Sequence, residues 1–287
     1  MIDNRNTVLF IIPNMDGGIT DLEKTIVSVL GQELNGNAVQ IFVMDNCSKE
    51  DQYAEILRFQ KKYKGVLSVY RMPERTKKIY LIQKAFNLFP YMEHSSRSYK
   101  YISILDVGDI LEKDYISDRI ELLRNYSGQS NVVLSIKNLI NPNFDLPQIN
   151  KIVIPDEMIR YFVNTTYNVF IENTNNFVFY IGNISTLDYY LFFNVGKIIF
   201  SDKSILSTRN TNTSQSHPLS SLEELVGKFY YTGRFCTSRN ISGKARLIVY
   251  DDIMKIADVY LADGLLKPEG HKLFKEIIFI TMRTLQK

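Results

Sequence analysis

The run Thr7-Val8-Leu9-Phe10-Ile11-Ile12, closed by Pro13, decides the fold class. It is continuously apolar, rich in β-branched residues, and stopped by a residue without a backbone donor. Such a run reads as a strand buried on both faces. Immediately after it, Thr20-Asp21-Leu22-Glu23 supplies capping chemistry, and Leu22, Ile26, Val29 and Leu30 share one helical face. The cadence then repeats. Val39–Met44 precedes a helical stretch over 51–63, Val66–Tyr70 precedes Lys78–Leu88, and Tyr101–Leu105 precedes Tyr115–Asn125, with Asn131–Ile136 as a fifth strand. Strands separated by helices need crossover connections, so the chain is α/β, with a Rossmann-like, mostly parallel sheet flanked by helices.

Ligands of such sheets bind beyond the carboxyl edge, so the strand ends are where binding chemistry is expected. Those ends are Pro13–Gly18, Asp45–Ser48 and Asp106–Asp109, each polar and each holding a carboxylate. Carboxylates converging from separate strands repel one another unless something answers them. They suit hydrogen bonding to a base and ribose, or holding a divalent cation beside phosphates. Asn138–Asn176 is Asn-rich, Pro-punctuated and aperiodic, and reads as a loop-rich excursion. Asn176–Tyr180, Ser185–Asn194 and Lys197–Phe200 regain regularity. After His217 the pattern is helical over Leu222–Phe235, Lys244–Leu261 and Lys272–Gln286.

Composition narrows the class. The 287 residues carry 34 basic and 31 acidic side chains, a net +3 that is too small for a nucleic-acid binder. Up to Gln215 the two signs balance at 23 each; the remainder holds 11 basic against 8 acidic and so all of the surplus. Cys47 and Cys236 cannot build a disulfide framework, and they lack the partners of a zinc site. No stretch is long and apolar enough for a bilayer, and the N-terminus does not read as a signal peptide. The expectation is a protein of a reducing compartment, cytoplasmic or at the inner face of a membrane.

Four segments in order resemble the family 2 glycosyltransferases, whose fold is GT-A. They are VLFIIPNMDGG…LEKTIVSVLGQ, IFVMDNCSKE, KAFNLFPYMEHSSRSYKYISILDVGDIL and STLDYYLFFNVGKIIFSDKSILSTRNTNTS, spanning Thr7 to about Ser216. The resemblance implies a GT-A domain over 1–216, with a nucleotide-sugar half (1–137) and an acceptor half (138–216), followed by a helical C-terminal region (217–287). It further implies an inverting glycosyltransferase using a nucleotide diphosphate sugar, with a UDP-linked donor as the expectation, and Mg²⁺ or Mn²⁺. A hexosyl or N-acetylhexosaminyl group would go to a glycan or lipid-linked acceptor, as in surface polysaccharide synthesis.

Residue roles follow from the same resemblance. Pro13, Asn14 and Asp16 match the nucleotide loop, Asp45 the acceptor of the uracil imide, and Asn87 the Asn of an Ala-Arg-Asn helix. Asp106 matches the ribose carboxylate, Asp109 is the remaining metal candidate, and Asp188 matches the general base. Arg209 and Ser214 match the loop that closes over the diphosphate. Three assignments keep structural alternatives: Asp45 and Asp109 as caps of the following helices, and Asp188 as an N-cap or early-helix residue. The chain also departs from the family pattern. Phe86 stands for the Arg of Ala-Arg-Asn, Gly108 for the usual metal-site Asp, Leu187 for a Glu and Thr211 for a His. Those four losses keep a second function open: a catalytically degenerate GT-A domain that binds a nucleotide or a partner. The Lys77-Lys78 pair reads as a solvated helix end or as a phosphate contact. In the last helix, Phe274, Ile277, Ile278 and Met282 share a face that suits packing on its own domain, a dimer contact or an anionic membrane surface.

Overall fold

The computed structural model describes residues 7–15, 18–88, 99–139, 152–153, 165–173, 198–201, 206–207, 218–238 and 241–285. The first strand, β1 (Thr7–Asn14), is buried along its whole length. Pro13 does not end it: the strand runs one residue further, because the register pairs Pro13 with Met44 and Asn14 with Asp45 at the sheet's carboxyl edge. Beside it lie β2 (Ala38–Asp45), β3 (Leu67–Arg71) and β4 (Tyr99–Ile104), and the order β3-β2-β1-β4 is parallel throughout. Helices α1 (Ile19–Leu30), α2 (Glu50–Lys62) and α3 (Lys78–Leu88) make the crossovers.

Past β4 the sheet departs from the expected pattern. A two-residue β5 (Asp109–Ile110) and helix α4 (Tyr115–Asn125) lead to β6 (Val132–Leu139) and the short β7 (Ile152–Val153). The segment expected to be loop-rich contains β8 (Thr165–Glu172), an interior strand inserted antiparallel between β4 and β6. Its sequence, TTYNVFIE, is rich in β-branched and aromatic residues, but the surrounding Asn and Pro residues obscure that signal. Then β9 (Ile198–Ser201) pairs parallel with β6, and β10 (Leu206–Ser207) forms a small antiparallel ribbon with β5. Three long helices close the chain: α5 (Pro218–Ser238), α6 (Gly243–Ala262) and α7 (Pro268–Leu285).

Alternation along β1 shows how the layers are built. Val8, Phe10 and Ile12 face a cluster with Leu22, Ile26 and Val29 of α1, Ile56 of α2, and Ile116 and Ile120 of α4. Leu9 and Ile11 face the opposite cluster, shared with Leu81, Ile82 and Ala85 of α3. That second cluster continues without a break into Leu225, Val249, Ile253, Phe274 and Ile278 of the C-terminal helices. Each such fully buried side chain contributes roughly 1.5–3 kcal/mol of transfer free energy, so these helices form one core with the sheet. On α7 the expected face is partly redrawn. Phe274 and Ile278 are buried, whereas Ile277 is exposed together with Leu273, Phe279 and Ile280. Ile277 lies one position before Ile278 and is rotated about 100° from it, so both cannot point at the same partner. Among the described residues, no helix is long and apolar enough to cross a membrane.

Candidate functional site

The parallel register sets Asn14, Asp45 and Arg71 side by side at the carboxyl edge. Asp45 has no exposed surface. Its carboxylate accepts from Asn14 Nδ2 at 3.0 Å, from the Ser48 backbone N–H at 3.1 Å and from the Ser48 hydroxyl, with Arg71 Nε 3.7 Å away. The contact to Ser48 N is the turn-capping one, made as the chain leaves β2 toward α2. Cys47 within that turn adopts a left-handed φ of 57°. Arg71 is anchored in turn: it donates to the Ser48 carbonyl at 2.6 Å, pairs with Glu50 at 2.7 Å, and lies 4.5 Å over the Tyr53 ring. Next to Asp45, Asn46 fixes the chain after β3, donating to the Thr76 carbonyl at 3.0 Å and accepting from the Thr76 N–H at 2.8 Å. That pin sets the start of α3, the helix that begins at Lys78.

The second strand end is charged rather than neutral in its partners. Asp106 lies just beyond β4, and its side chain is 44% exposed. Lys78 Nζ contacts one carboxylate oxygen, and Lys137 Nζ lies 3.3 Å from the other. Lys137 comes from β6 and is only 6% exposed; the same ammonium also contacts Asp109, which is 1% exposed. Asp109 Oδ2 additionally accepts the Asp106 N–H at 2.8 Å, so it braces its own turn. Burial works against ionising Asp106, but the two lysines outweigh it and hold its carboxyl well below the ordinary range. Burial pushes the Asp109 carboxyl up, with the charge of Asp106 adding to it and Lys137 opposing. Burial also opposes the Lys137 charge, yet the two carboxylates more than compensate and raise its pKa above the usual lysine value.

Neighbouring elements hold this turn in shape. Gly108 takes a left-handed φ of 97°, and its N–H donates to Thr25 Oγ1 of α1 at 2.8 Å. Beneath it, Asn168 of β8 donates to the Ile104 carbonyl and accepts from the Tyr115 hydroxyl, which is 3.0 Å from Ser103 Oγ. Strand β10 pairs Ser207 with Asp109 and Leu206 with Ile110, which ties the turn to a later part of the chain. Gln32 at the end of α1 donates to the Glu112 carbonyl at 2.7 Å and accepts from the Ile116 N–H at 3.2 Å, fixing the far side of the turn.

The model for "Glycosyl transferase family 2" matches residues 10–206, more than half of the chain. The chain belongs to glycosyltransferase family 2. Its fold is GT-A, as solved structures show. S. aureus TarS is 14% identical with a TM-score of 0.53; 89% of this chain is covered, which spans 54% of that chain. A form of TarS comprising residues 1–349, in complex with UDP, is 13% identical at a TM-score of 0.53, with 97% and 90% of the two chains covered. The mannosyltransferase PcManGT from Pyrobaculum calidifontis, in complex with GDP-Man and Mn²⁺, is 11% identical at 0.55, with 98% and 82% covered. No curated protein sequence matches the chain.

Against this family 2 frame, the expected site residues fall into three groups. Pro13, Asn14 and Asp45 are buried at the first strand end, where Asp45 meets protein donors. Asp106, Asp109 and the Lys78 of the basic pair meet at the second strand end, while Asn87 is exposed on α3. Phe86, standing where the family has Arg, packs against the core instead of facing a phosphate. Asp16, Asp188, Arg209 and Ser214 lie outside the described residues. The described residues of the second strand end do not by themselves form a donor set for a resident divalent cation. Among the described residues no three His, Cys, Asp or Glu side chains converge, Gly108 offers no ligand, and Asp109 is engaged by an ammonium. Sequence reasoning missed Lys137 and Arg71. The available signal was positional: each is a cation in the carboxyl-terminal half of a largely apolar strand, where a charge is costly unless answered.

Proposed function

We propose that this family 2 chain is an inverting glycosyltransferase that takes a hexosyl or N-acetylhexosaminyl group from a UDP-linked nucleotide diphosphate donor to a glycan or lipid-linked glycan acceptor. The observation that carries this reading is the charged strand end: an accessible carboxylate, Asp106, flanked by the half-exposed ammonium of Lys78 at the carboxyl edge of the sheet. A carboxylate there accepts from a ribose hydroxyl, and a neighbouring cation favours a diphosphate. In that reading the walls of the nucleoside pocket come from Pro13, Asn14, Asp16 and Asn87, with Asp45 and Arg71 holding the turn in shape. Asp188 takes the proton of the acceptor hydroxyl as its oxygen bonds to the anomeric carbon; the bond to the diphosphate breaks and the nucleotide leaves with the electron pair. Arg209 meets the charge that develops on that leaving group.

Thermal shift with UDP and GDP tests the donor site, since a bound nucleotide raises the melting temperature by mass action. If neither moves it at millimolar concentration, the donor assignment fails. Turnover of donor sugars with candidate acceptors, or slow donor hydrolysis, tests catalysis, and activity unaffected by Asp188→Asn would remove that residue as the base. A second reading, a degenerate nucleotide-binding module, is favoured by Phe86 and Gly108, whose positions serve the core and the turn. Nucleotide binding with no donor turnover would establish it.

The exposed Leu273, Ile277, Phe279 and Ile280 of α7, with Lys272 and Arg283 near them, suit contact with an anionic membrane surface close to a lipid-linked acceptor. Co-sedimentation with phosphatidylglycerol vesicles, lost in Ile277→Glu/Ile280→Glu, is the expected result. A dimer that dissociates in the same variant would assign the surface to a second copy instead.

A further inference from the structure

We infer that Lys137 takes the cation position of this strand-end site, so that the chain binds its nucleotide without a divalent ion. The inference rests on the donor-site reading above. Asp106 and Asp109 are the two carboxylates that the family resemblance assigns to ribose and metal, and in the structure both converge on one ammonium. This is not a surface pair that solvent would dissolve, because the Lys137 and Asp109 side chains are 6% and 1% exposed. A buried lysine with two carboxylates against it supplies the positive charge that would otherwise come from a metal, and it is covalently part of β6.

The turn itself is shaped for this arrangement. Gly108 occupies the place of the usual metal-site Asp with φ at 97°, a conformation that an L-residue adopts only with strain. Its N–H is fixed on Thr25, so the backbone is held there from α1. The missing carboxylate is therefore part of the turn's geometry rather than an isolated substitution. Charge balance agrees: two carboxylates meet two ammoniums, Lys78 and Lys137. A dication entering this cluster would face both lysines and compete with Lys137 for Asp109. The lysines divide the work. Lys137, buried, is a positioning residue that holds Asp109 and the inner oxygen of Asp106. Lys78, 45% exposed, is the cation able to turn toward a docking diphosphate.

Titration calorimetry on the full chain with UDP and GDP, in EDTA and in Mn²⁺, tests this, accompanied by Mn²⁺ titration followed by electron paramagnetic resonance. The expected dissociation constant for the preferred nucleotide agrees within about twofold between EDTA and Mn²⁺. Wild-type protein is expected to lower the free-ion Mn²⁺ signal no further than a protein-free blank of the same Mn²⁺ and nucleotide content, because free nucleotide itself chelates the ion, and Lys137→Met to acquire Mn²⁺ binding that Asp109→Asn removes. Nucleotide binding tighter by about tenfold or more in Mn²⁺, with that gain lost in Asp109→Asn, would overturn the inference while leaving the donor site standing. Absence of nucleotide binding in either buffer would overturn the donor site and with it the nucleotide half of the inference. The occupied cation position is then judged by wild-type Mn²⁺ binding, which overturns it if present. Should Lys137→Met not fold, the wild-type comparison decides alone.

Discussion

The two strand-end clusters solve the same electrostatic problem with different materials. At the end of β2, Asp45 is satisfied by an amide, a hydroxyl and a backbone N–H, with the Arg71 guanidinium at a longer distance. Past the end of β4, Asp106 and Asp109 of β5 are answered by ammonium groups brought by α3 and β6. Neutral donors can be supplied by the turn that follows the strand, so the first cluster is local apart from Asn14 and Arg71. Ammonium groups must be brought from elsewhere, and Lys137 arrives 28 residues after Asp109 in sequence. The first cluster is consequently a rigid wall, and the second, with Asp106 half open to solvent, is where a ligand can exchange for a protein contact.

The strongest way to break that contrast is to remove the buried cation. Lys137→Met leaves Asp109 without its main counter-charge and should cost about 3–5 kcal/mol in urea unfolding, as expected for a broken buried ion pair. Partial recovery in Mn²⁺ would sharpen the difference between the clusters; no recovery is expected for any variant of Asp45. Asp45→Ala strands the Asn14 and Ser48 donors and should cost about 3 kcal/mol by the same measurement, whatever the metal content of the buffer. Gly108→Asp restores a carboxylate to the family's metal position but forces it into a left-handed backbone, for a loss of about 2 kcal/mol without Mn²⁺ binding.

Acid pH probes the ionic cluster more gently. Asp106 titrates lower in the folded chain than its ordinary 3.8, so it adds stability above that value, and the addition is lost as pH falls below it. Asp109 is raised, and its contribution has the opposite sign: present below the ordinary value and lost as pH rises through the folded one. The melting temperature of Asp106→Asn should therefore fall less steeply than wild type on the acid side, and equal slopes would contradict the pairing. The smallest effect belongs to the C-terminal helices, where Asp258 meets Lys275 at 2.9 Å and His271 at 2.7 Å on an exposed face. Asp258→Asn should cost less than about 1 kcal/mol.

The parallel half of the sheet was legible in the sequence, because β1, most of β2 and the second half of β4 are buried and carry largely apolar runs. The sequence also marked the strand ends where carboxylates gather, since acidic residues that interrupt such runs stand out. It did not reveal β8, whose β-branched and aromatic residues are hidden among Asn and Pro residues and whose place between β4 and β6 is a matter of pairing. Nor did it disclose that the C-terminal helices share the core beneath β1, because a helix pattern states which face is apolar and not what covers it. The partner of Asp109 was equally out of reach. A carboxylate near a lysine in space is a tertiary fact, fixed here by a crossover that carries β6 back alongside β8 and sets Lys137 against two strand-end aspartates.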